Sequence, residues 1–244
     1  MDITAGHSRF ADRVLLMLER VEYRRAETPA EKAAIFRLRH QAYTRAGTVA
    51  PRPSGLFEDS FDAAPNVWLI GVYIDGDLAG SLRLHVSASL NAPLPALVTY
   101  RDILEAHLRA GRMIIDGTRF VVSVDYSRLY SEMPYITIRP TFLAEEFFGA
   151  DFLTAACLVE HQAFYKRVFG GAPWAAPREY PNFNRPMAFL GSDCRARRAE
   201  VHARYPFFRS TDSERSRLFG RSSNLGSGVL EAIRGVAAGE LARA

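Results

Sequence analysis

In two segments near the start of the chain, apolar residues recur at the spacing of an amphipathic helix. A first helix is predicted within residues 8–21, inside an N-terminal segment that spans residues 1–21. A second helix is predicted after Thr28, because Thr28, Pro29 and Glu31 supply an N-cap, a proline at the first helical position and a capping-box acid.

Two strands are predicted next, over residues 67–74 and 78–86, joined by an Asp-Gly turn that favours a hairpin. Successive strand residues point to opposite faces of a sheet. Arg83 is therefore expected to share a face with Ser81 and His85.

The remaining pattern alternates between helix and strand. The apolar run at residues 152–159 is typical of a buried strand. Further helices are predicted over residues 100–110, 140–149 and 160–169, and further strands over 23–26, 113–122 and 186–190. This order describes an α/β (α+β) fold in which helices flank a mixed central sheet.

Two regions stand apart from this pattern. Residues 48–66 form a loop rich in Pro, Gly and Asp, and loops of that length are often functional. Residues 193–244 are rich in arginine and have a helical pattern. We therefore predict a domain over residues 1–192 and an Arg-rich helical extension over residues 193–244.

Composition narrows the class of protein. Cys157 and Cys194 are the two cysteines, and without Cys/His clusters no metal site is predicted. No apolar run in the sequence reaches the roughly 20 residues that cross a bilayer. Residues 1–10 lack the pattern of a secretory signal, so a cytoplasmic protein with reduced thiols is expected.

Five short motifs then carry a resemblance. They are Leu-Arg-His-Gln-Ala-Tyr at residues 38–43, Glu-Asp-Ser-Phe-Asp at 58–62, Gly-Ser-Leu-Arg-Leu at 80–84, Asp-Gly-Thr-Arg-Phe-Val-Val at 116–122, and Glu-His-Gln-Ala-Phe-Tyr-Lys-Arg-Val-Phe-Gly at 160–170. In this order they resemble the GCN5-related N-acyltransferase superfamily. Within it, the branch of long-chain N-acyl amino acid synthases and acyl-homoserine-lactone synthases is the most similar.

The resemblance implies an N-acyltransferase that moves a long acyl chain from a thioester to the amine of an amino acid. Residues 123–137 contain no glycine, unlike the Gly-rich loop that binds the coenzyme A pyrophosphate in acetyltransferases of this fold. The expected donor is therefore an acyl-phosphopantetheine on an acyl carrier protein rather than coenzyme A, and no permanently bound cofactor is expected.

Two other functions remain open. An acyl-homoserine-lactone synthase is one alternative, but Val49 stands where those enzymes carry a tryptophan. The other is a non-catalytic binding module on the same fold. A cavity beside Asp116 would favour an enzyme, and a filled interior would favour the module.

Acyl transfer to an amine requires a base, donors for the oxyanion and an acid for the leaving thiolate. The candidate catalytic residues are Asp116, Thr118, His161 and Tyr165. An aspartate within an apolar strand gains basicity from burial. The alternatives are an ion pair for Asp116, a helix-cap role for His161 and a core position for Tyr165.

The candidate substrate-binding residues are Arg39, Tyr43, Asp59, Asp62, Arg83, Arg119 and Phe120. Arginine suits a carboxylate through bidentate hydrogen bonds, and Asp59 and Asp62 suit an amine. The alternative is that these arginines and aspartates pair with one another.

The last candidate feature is a basic surface. The net charge is +4, and of the 31 basic residues only Lys32 and Lys166 are lysines. Acyl carrier proteins are acidic, so a docking face is predicted at Arg195, Arg197, Arg198 and Arg204. A solvated helix face is the alternative. No nucleic-acid motif supports a nucleic-acid partner, and a lipid product would allow peripheral membrane contact.

Overall fold

The structure is a computed structural model that describes residues 3–220 and residue 233. The helices are α1 (Ile3–Leu18), α2 (Pro29–Arg45), α3 (Leu97–Arg109), α4 (Val124–Leu129), α5 (Met133–Phe148), α6 (Gln162–Phe169), α7 (Cys194–Arg204) and α8 (Asp212–Phe219). The strands are β1 (Val21–Arg25), β2 (Val67–Ile74), β3 (Asp77–Ser87), β4 (Ile114–Val122), β5 (Phe152–Leu158), β6 (Ala172–Arg178) and β7 (Met187–Asp193). Short 3₁₀ turns lie at Ser60–Ala63, Val159–His161 and Pro206–Phe208.

The strands form one seven-stranded sheet in the order β1-β2-β3-β4-β5-β7-β6. Neighbouring strands are antiparallel except β4 and β5, which are parallel. The predicted mixed sheet with flanking helices is confirmed. The sequence pattern missed β6, whose Pro173 and Pro177 weaken a strand signal and are tolerated because β6 lies at the sheet edge.

The parallel pair β4 and β5 separates part way along. The two strands pair only from Ile114 with Phe152 to Gly117 with Ala155. Beyond that point β4 continues along β3 as far as Val122. Meanwhile β5 continues along β7 as far as Leu158. A gap therefore opens between the carboxyl halves of the two central strands.

Two helix starts show how local chemistry sets the elements. Helix α2 begins at Pro29 with the predicted capping box between Thr28 and Glu31. Helix α5 begins seven residues before the predicted start, so Pro140 lies inside it. A proline cannot donate to the carbonyl four residues earlier. The Tyr23 hydroxyl donates to that Ile136 carbonyl oxygen at 2.8 Å instead.

The last described helices pack on the same core as the central sheet. Val201, Phe207, Phe208 and Phe219 are buried in the cluster that contains the inner residues of β2, β3 and α5. The predicted boundary between a domain and an extension at residue 193 stays a prediction. Apart from Ile233, the part of the extension beyond residue 220 lies outside the described residues.

Within residues 3–220, no helix is long and apolar enough to cross a bilayer. Over the same residues, no group of three or more His, Cys, Asp or Glu side chains is arranged to hold a metal ion.

Candidate active site

A cavity of about 820 Å³ occupies the gap between β4 and β5. Its floor is formed by residues 117–122 of β4 and 156–158 of β5. Helices α2, α4 and α6, the 48–66 loop and the segment between β6 and β7 contribute most of the remaining wall. A cavity of this size at the point where two strands diverge can hold a large ligand.

One end of the cavity is lined by charged side chains. The Arg83 Nη1 atom donates to Asp59 Oδ1 at 2.6 Å and to Asp62 Oδ1 at 2.9 Å. Arg119 Nη2 also donates to Asp59. Burial works to raise the pKa of Asp59, but the charges of Arg83 and Arg119 outweigh it and hold that pKa below its usual value.

A second layer of this cluster lies behind the cavity wall. Arg39 is 0% exposed, and its Nη1 donates to Asp62 Oδ1 at 2.8 Å. Asp62 Oδ2 accepts from the Asp59 backbone N–H at 2.9 Å, which closes a capping box on the Ser60–Ala63 turn. Three arginines thus face two carboxylates, and one positive charge remains at the polar end of the cavity.

Arg119 occupies a bulge in β4. The register with β3 shifts between Arg83–Thr118 and Ser81–Val121, so residues 119 and 120 have no partner on β3. Arg119 has a φ of 55°, in the left-handed region that costs a non-glycine residue energy. Its guanidinium lies 4.8 Å from the Phe57 ring centre and 5.0 Å from that of Phe183, so it makes a cation–π contact with each ring.

Asp116 lies on the same sheet face as Arg83 but does not line the cavity. Its side chain is 0% exposed. Oδ1 accepts from Thr154 Oγ1 at 2.9 Å and Oδ2 accepts from the Ala96 N–H at 3.1 Å. Burial raises the pKa of Asp116 to about 6, although both hydrogen bonds and the charge of Arg83 lower it.

Three other candidate catalytic residues line the cavity directly. Thr118 Oγ1 accepts from Arg83 Nε at 3.0 Å, which leaves the hydroxyl proton free to be donated. Tyr165 is buried, and burial raises its pKa, so its hydroxyl stays protonated at neutral pH. His161 is exposed at the cavity rim, at the end of the turn that follows β5.

The other end of the cavity is apolar. Phe120 lies 6.3 Å from Phe164 and 6.4 Å from Tyr165 between ring centres. Val122, Pro134 and Leu158 add aliphatic surface there. Cys157 also lines this wall, and burial raises the pKa of its thiol to about 12. A thiol of that pKa remains protonated and is a poor nucleophile.

The structure therefore brings most of the predicted site residues to one cavity. Those that line it are Tyr43, Asp59, Arg83, Thr118, Arg119, Phe120, His161 and Tyr165. Arg39, Asp62 and Asp116 lie behind its wall. The two interpretations of the arginines and aspartates, substrate binding and pairing with one another, are compatible. Arg83, Arg119 and Asp59 pair with one another and still face the cavity.

Some wall residues were missed by the sequence motifs. The segment between β6 and β7 contributes Tyr180 and Phe183, and the 48–66 loop contributes Ser60 and Phe61. The available signal was the pair of aromatic residues in the otherwise polar stretch before the last predicted strand. Asn184 Nδ2 ties this segment to the Gly47 carbonyl oxygen at 3.0 Å.

The predicted docking arginines divide between the two ends of α7. Arg198 Nε donates to Glu145 at 2.8 Å, on α5 about 16 Å along the helix from the cavity residue Pro134. Arg197 packs against Gly170 at the far end of α6. Arg204 instead precedes Tyr205, whose ring lies 5.6 Å from that of Tyr135, next to the cavity. Arg195 is exposed on the first turn of α7.

Comparisons with known proteins show which family and which solved structures this chain resembles. A family model described as N-acyl amino acid synthase FeeM matches residues 34–193. The structure of FeeM, an N-acyl amino acid synthase from uncultured soil microbes, has a TM-score of 0.62 at 18% identity, covering 77% of this chain and 98% of that one. A comparison with curated proteins gives no match.

Two acyl-homoserine-lactone synthases share the same fold. LasI has a TM-score of 0.52 at 16% identity, covering 70% of this chain and 87% of that one. The coenzyme A-dependent BjaI, solved with S-adenosylmethionine and isopentyl-coenzyme A, has a TM-score of 0.52 at 17% identity, covering 77% and 88%. The predicted GCN5-related N-acyltransferase fold and its branch are confirmed.

Proposed function

Because the chain belongs to the N-acyl amino acid synthase FeeM family, and is therefore an acyltransferase, we propose the substrates and roles that follow. The protein transfers a long-chain acyl group from an acyl carrier protein thioester to the amine of an amino acid. The observation that carries this proposal is the cavity between β4 and β5, which is charged at one end and apolar at the other. An acyl chain gains about 0.8 kcal/mol for each CH₂ buried in such an apolar slot.

The charged end suits the acceptor. Arg83 and Arg119 line the cavity and offer planar donors for a carboxylate. Asp59 lies between them and is ionised, so it can bind the ammonium group. Arg39 and Asp62 act from behind the wall by holding Arg83 and Asp59 in place.

The bulge in β4 suits the reacting thioester. Residues 119 and 120 have no register partner on β3, and we assign their backbone N–H groups, together with the Thr118 hydroxyl, to the stabilisation of the tetrahedral oxyanion. Asp116 serves as the base, since a pKa of about 6 leaves it ionised at neutral pH. Tyr165 supplies the proton to the leaving thiolate, and Phe120 contacts the acyl chain. His161 contacts the donor at the rim.

The region after β4 favours a carrier protein over coenzyme A. Residues 123–137, which contain no glycine, form α4 and the start of α5 instead of a glycine-rich phosphate loop. Asp125 lies in the first turn of α4, where its negative charge opposes the binding of a pyrophosphate. Carrier protein use and a cytoplasmic location remain predictions.

Two basic residues beside Tyr205 define the docking surface that we propose for the carrier. Arg167 and Arg204 both act on Tyr205 and lower its pKa against the raising effects of burial and Tyr135. Arg167 and Arg204 form no ion pair within the described residues, whereas Arg197 pairs with Glu200. We therefore assign the cavity-side half of the surface to Arg167 and Arg204, and the far half to Arg195, Arg197 and Arg198.

Reversing charge on the two halves tests this docking surface. The Arg167→Glu/Arg204→Glu variant is expected to raise KM for acyl carrier protein about tenfold at low salt, because it removes the attraction to an acidic partner. KM for acyl-pantetheine, which lacks the protein, should not change. Arg195→Glu/Arg197→Glu is the matched control. A larger effect in the control would place the docking face at the other end of α7.

The reaction itself is tested by mass spectrometry of lipid extracts from cells that overproduce the protein, beside an Asp116→Ala control. A series of N-acyl amino acids that is absent in the control is expected, and their masses identify both substrates. Acyl-homoserine lactones in the extract would favour the other branch of the fold. An extract without new lipids, from cells containing folded protein, would contradict the proposed reaction.

A further inference from the structure

His85 is a buried histidine beside the charged cluster, and the proposed mechanism does not use it. It lies on β3 two residues after Arg83, so the two side chains point to the same face of the sheet. His85 is 0% exposed and does not line the cavity. Burying a polar ring is unfavourable unless its nitrogen atoms find partners, so the contacts of this imidazole indicate what it does.

His85 contacts Phe61 in two ways. The imidazole Nε2 lies 3.1 Å from the Phe61 carbonyl oxygen, and the two ring centres are 5.8 Å apart in an edge-to-face arrangement. Because a carbonyl oxygen only accepts, Nε2 carries the proton and donates it. Nδ1 is buried and has no hydrogen-bond partner among the described residues. Burial and the charge of Arg83 lower the pKa of His85 to about 3, so the ring is a neutral donor.

Phe61 belongs to the Ser60–Ala63 turn, which forms part of the charged end of the cavity. Asp59 caps this turn, since its Oδ1 accepts from the Phe61 N–H at 3.0 Å. Both Asp59 and Phe61 line the cavity. The Phe61 carbonyl oxygen also accepts from the Ala64 N–H at 3.3 Å, which closes the turn. His85 therefore holds the turn at the residue that Asp59 caps.

Ion pairs also hold this turn, but a bound amino acid competes with them. Arg83 and Arg119 bind Asp59. In the proposed complex, the carboxylate of the acceptor binds the same two arginines, and its ammonium group binds Asp59. The hydrogen bond from His85 to Phe61 joins two uncharged groups, and neither group of the acceptor replaces it. It can therefore keep the turn in place while the ion pairs rearrange.

We propose that His85 is a positioning residue, which holds the Ser60–Ala63 turn through Phe61 while the acceptor amino acid binds. The inference rests on the proposed function, in which Asp59 binds the ammonium group of the acceptor. His85 contacts neither substrate and acts by keeping Asp59 and Phe61 in the cavity wall. Its effect falls on the acceptor, because the donor is assigned to the apolar end of the cavity and to the bulge in β4.

Steady-state kinetics with a pair of variants test this role. His85→Leu removes the donor, and His85→Gln keeps an N–H donor near the position of Nε2. The acceptor is an equimolar mixture of the common L-amino acids, and the donor is decanoyl-pantetheine. His85→Leu is expected to raise the apparent KM for the acceptor about tenfold, as for one lost hydrogen bond, with kcat and the KM for the donor unchanged. His85→Gln should stay within about threefold of the wild type.

Three results would overturn the proposal. They are a wild-type acceptor KM in His85→Leu, equal losses in the leucine and glutamine variants, and a parallel rise in both KM values, which is the sign of a general packing defect. His107→Leu is the matched control, since it removes an imidazole that lies 4.6 Å from the Phe152 ring centre and does not line the cavity. It should change neither KM. A raised acceptor KM in this control would assign the effect to packing and overturn the role of His85.

A second measurement does not require activity. ¹⁵N NMR of histidine-labelled protein reports which ring nitrogen carries the proton, with His85→Gln identifying the signal. Between about pH 5 and 8, His85 is expected to keep a proton on Nε2 and none on Nδ1, both before and after the amino acid mixture is added. A ring protonated on Nδ1 overturns the proposal. A protein that shows this tautomer and binds the mixture, but forms no N-acyl product, supports the positioning role and overturns only the proposed function.

Discussion

Replacing Asp116 with asparagine is expected to lower kcat about 10²–10⁴-fold, the usual contribution of a positioned base. Asparagine keeps the size of the side chain, its amide oxygen can accept from the Ala96 N–H, and its NH₂ can donate to the Thr154 hydroxyl oxygen, so the fold is preserved. For the wild type, kcat/KM should fall tenfold per pH unit below about pH 6, where Asp116 becomes protonated. Both effects can be measured by steady-state kinetics between about pH 4.5 and 8, a range that extends to both sides of that midpoint.

Asp151→Asn is the matched control for this change. Asp151 is an aspartate beside the amino-terminal end of β4, where Oδ2 accepts from the Met113 N–H at 2.8 Å, and it does not line the cavity. Its replacement should leave kcat and the pH profile unchanged. A wild-type rate in Asp116→Asn would remove Asp116 from the mechanism and leave it with a structural role.

The raised pKa of Asp116 also predicts a dependence of stability on pH. Folding raises the pKa of this carboxyl from 3.8 to about 6. Its contribution to the free energy of unfolding is therefore fully present below pH 3.8 and is lost as the pH rises through 6. A shift of two pH units corresponds to about 3 kcal/mol. The stability of Asp116→Asn relative to the wild type should therefore increase between pH 4 and 7, in urea unfolding experiments.

Replacing Asp62 with asparagine is expected to lower the free energy of unfolding by about 3–5 kcal/mol. The reason is that Arg39, 0% exposed, has Asp62 as its ion-pair partner. The amide oxygen of asparagine can keep the hydrogen bond from the Asp59 N–H. Its NH₂ cannot accept from Arg39 or Arg83, so the change removes both the charge and the acceptor of these two arginines. Urea unfolding followed by the fluorescence of the buried Trp68 measures the effect.

The double variant Asp62→Asn/Arg39→Met is the control for unpaired charge. Because it removes both members of the pair, it should recover much of the loss seen in Asp62→Asn alone. Equal instability of the single and double variants would contradict this account.

The stabilisation by Asp62 depends on pH with the opposite sign to that of Asp116. Arg39 and Arg83 hold the pKa of Asp62 below its ordinary value despite burial. Its contribution is thus present above about pH 3.8 and is lost as the pH falls further.

Local signals in the sequence were enough for most elements. The capping box at Thr28 places the start of α2, and the Asp-Gly turn places the hairpin of β2 and β3, because each depends on neighbouring residues alone. The predicted shared face of Ser81, Arg83 and His85 also follows from strand alternation, and all three are buried. The start of helix α5 could not be predicted from neighbouring residues. Pro140 leaves the Ile136 carbonyl oxygen without its helical donor, and the Tyr23 hydroxyl in β1 donates to it instead.

The family, too, could be inferred from the chain alone, because its motifs are short and occur in a set order. The arrangement of the site could not. Arg39, Asp59, Asp62, Arg83 and Arg119 come from α2, the 48–66 loop, β3 and β4. Only the folded chain shows that they form one paired cluster, since opposite charges attract according to distance in space and not along the sequence.

The position of Asp116 illustrates the same division most clearly. Its place in an apolar strand indicated burial and a raised pKa, and both are present. Whether a buried carboxylate faces a cavity depends on packing between distant elements. Here the Ala96 N–H before α3 and the Thr154 hydroxyl of β5 bind the two carboxylate oxygens of Asp116, which has no surface on the cavity. The residue type followed from local sequence, and its access to substrate followed from the three-dimensional packing.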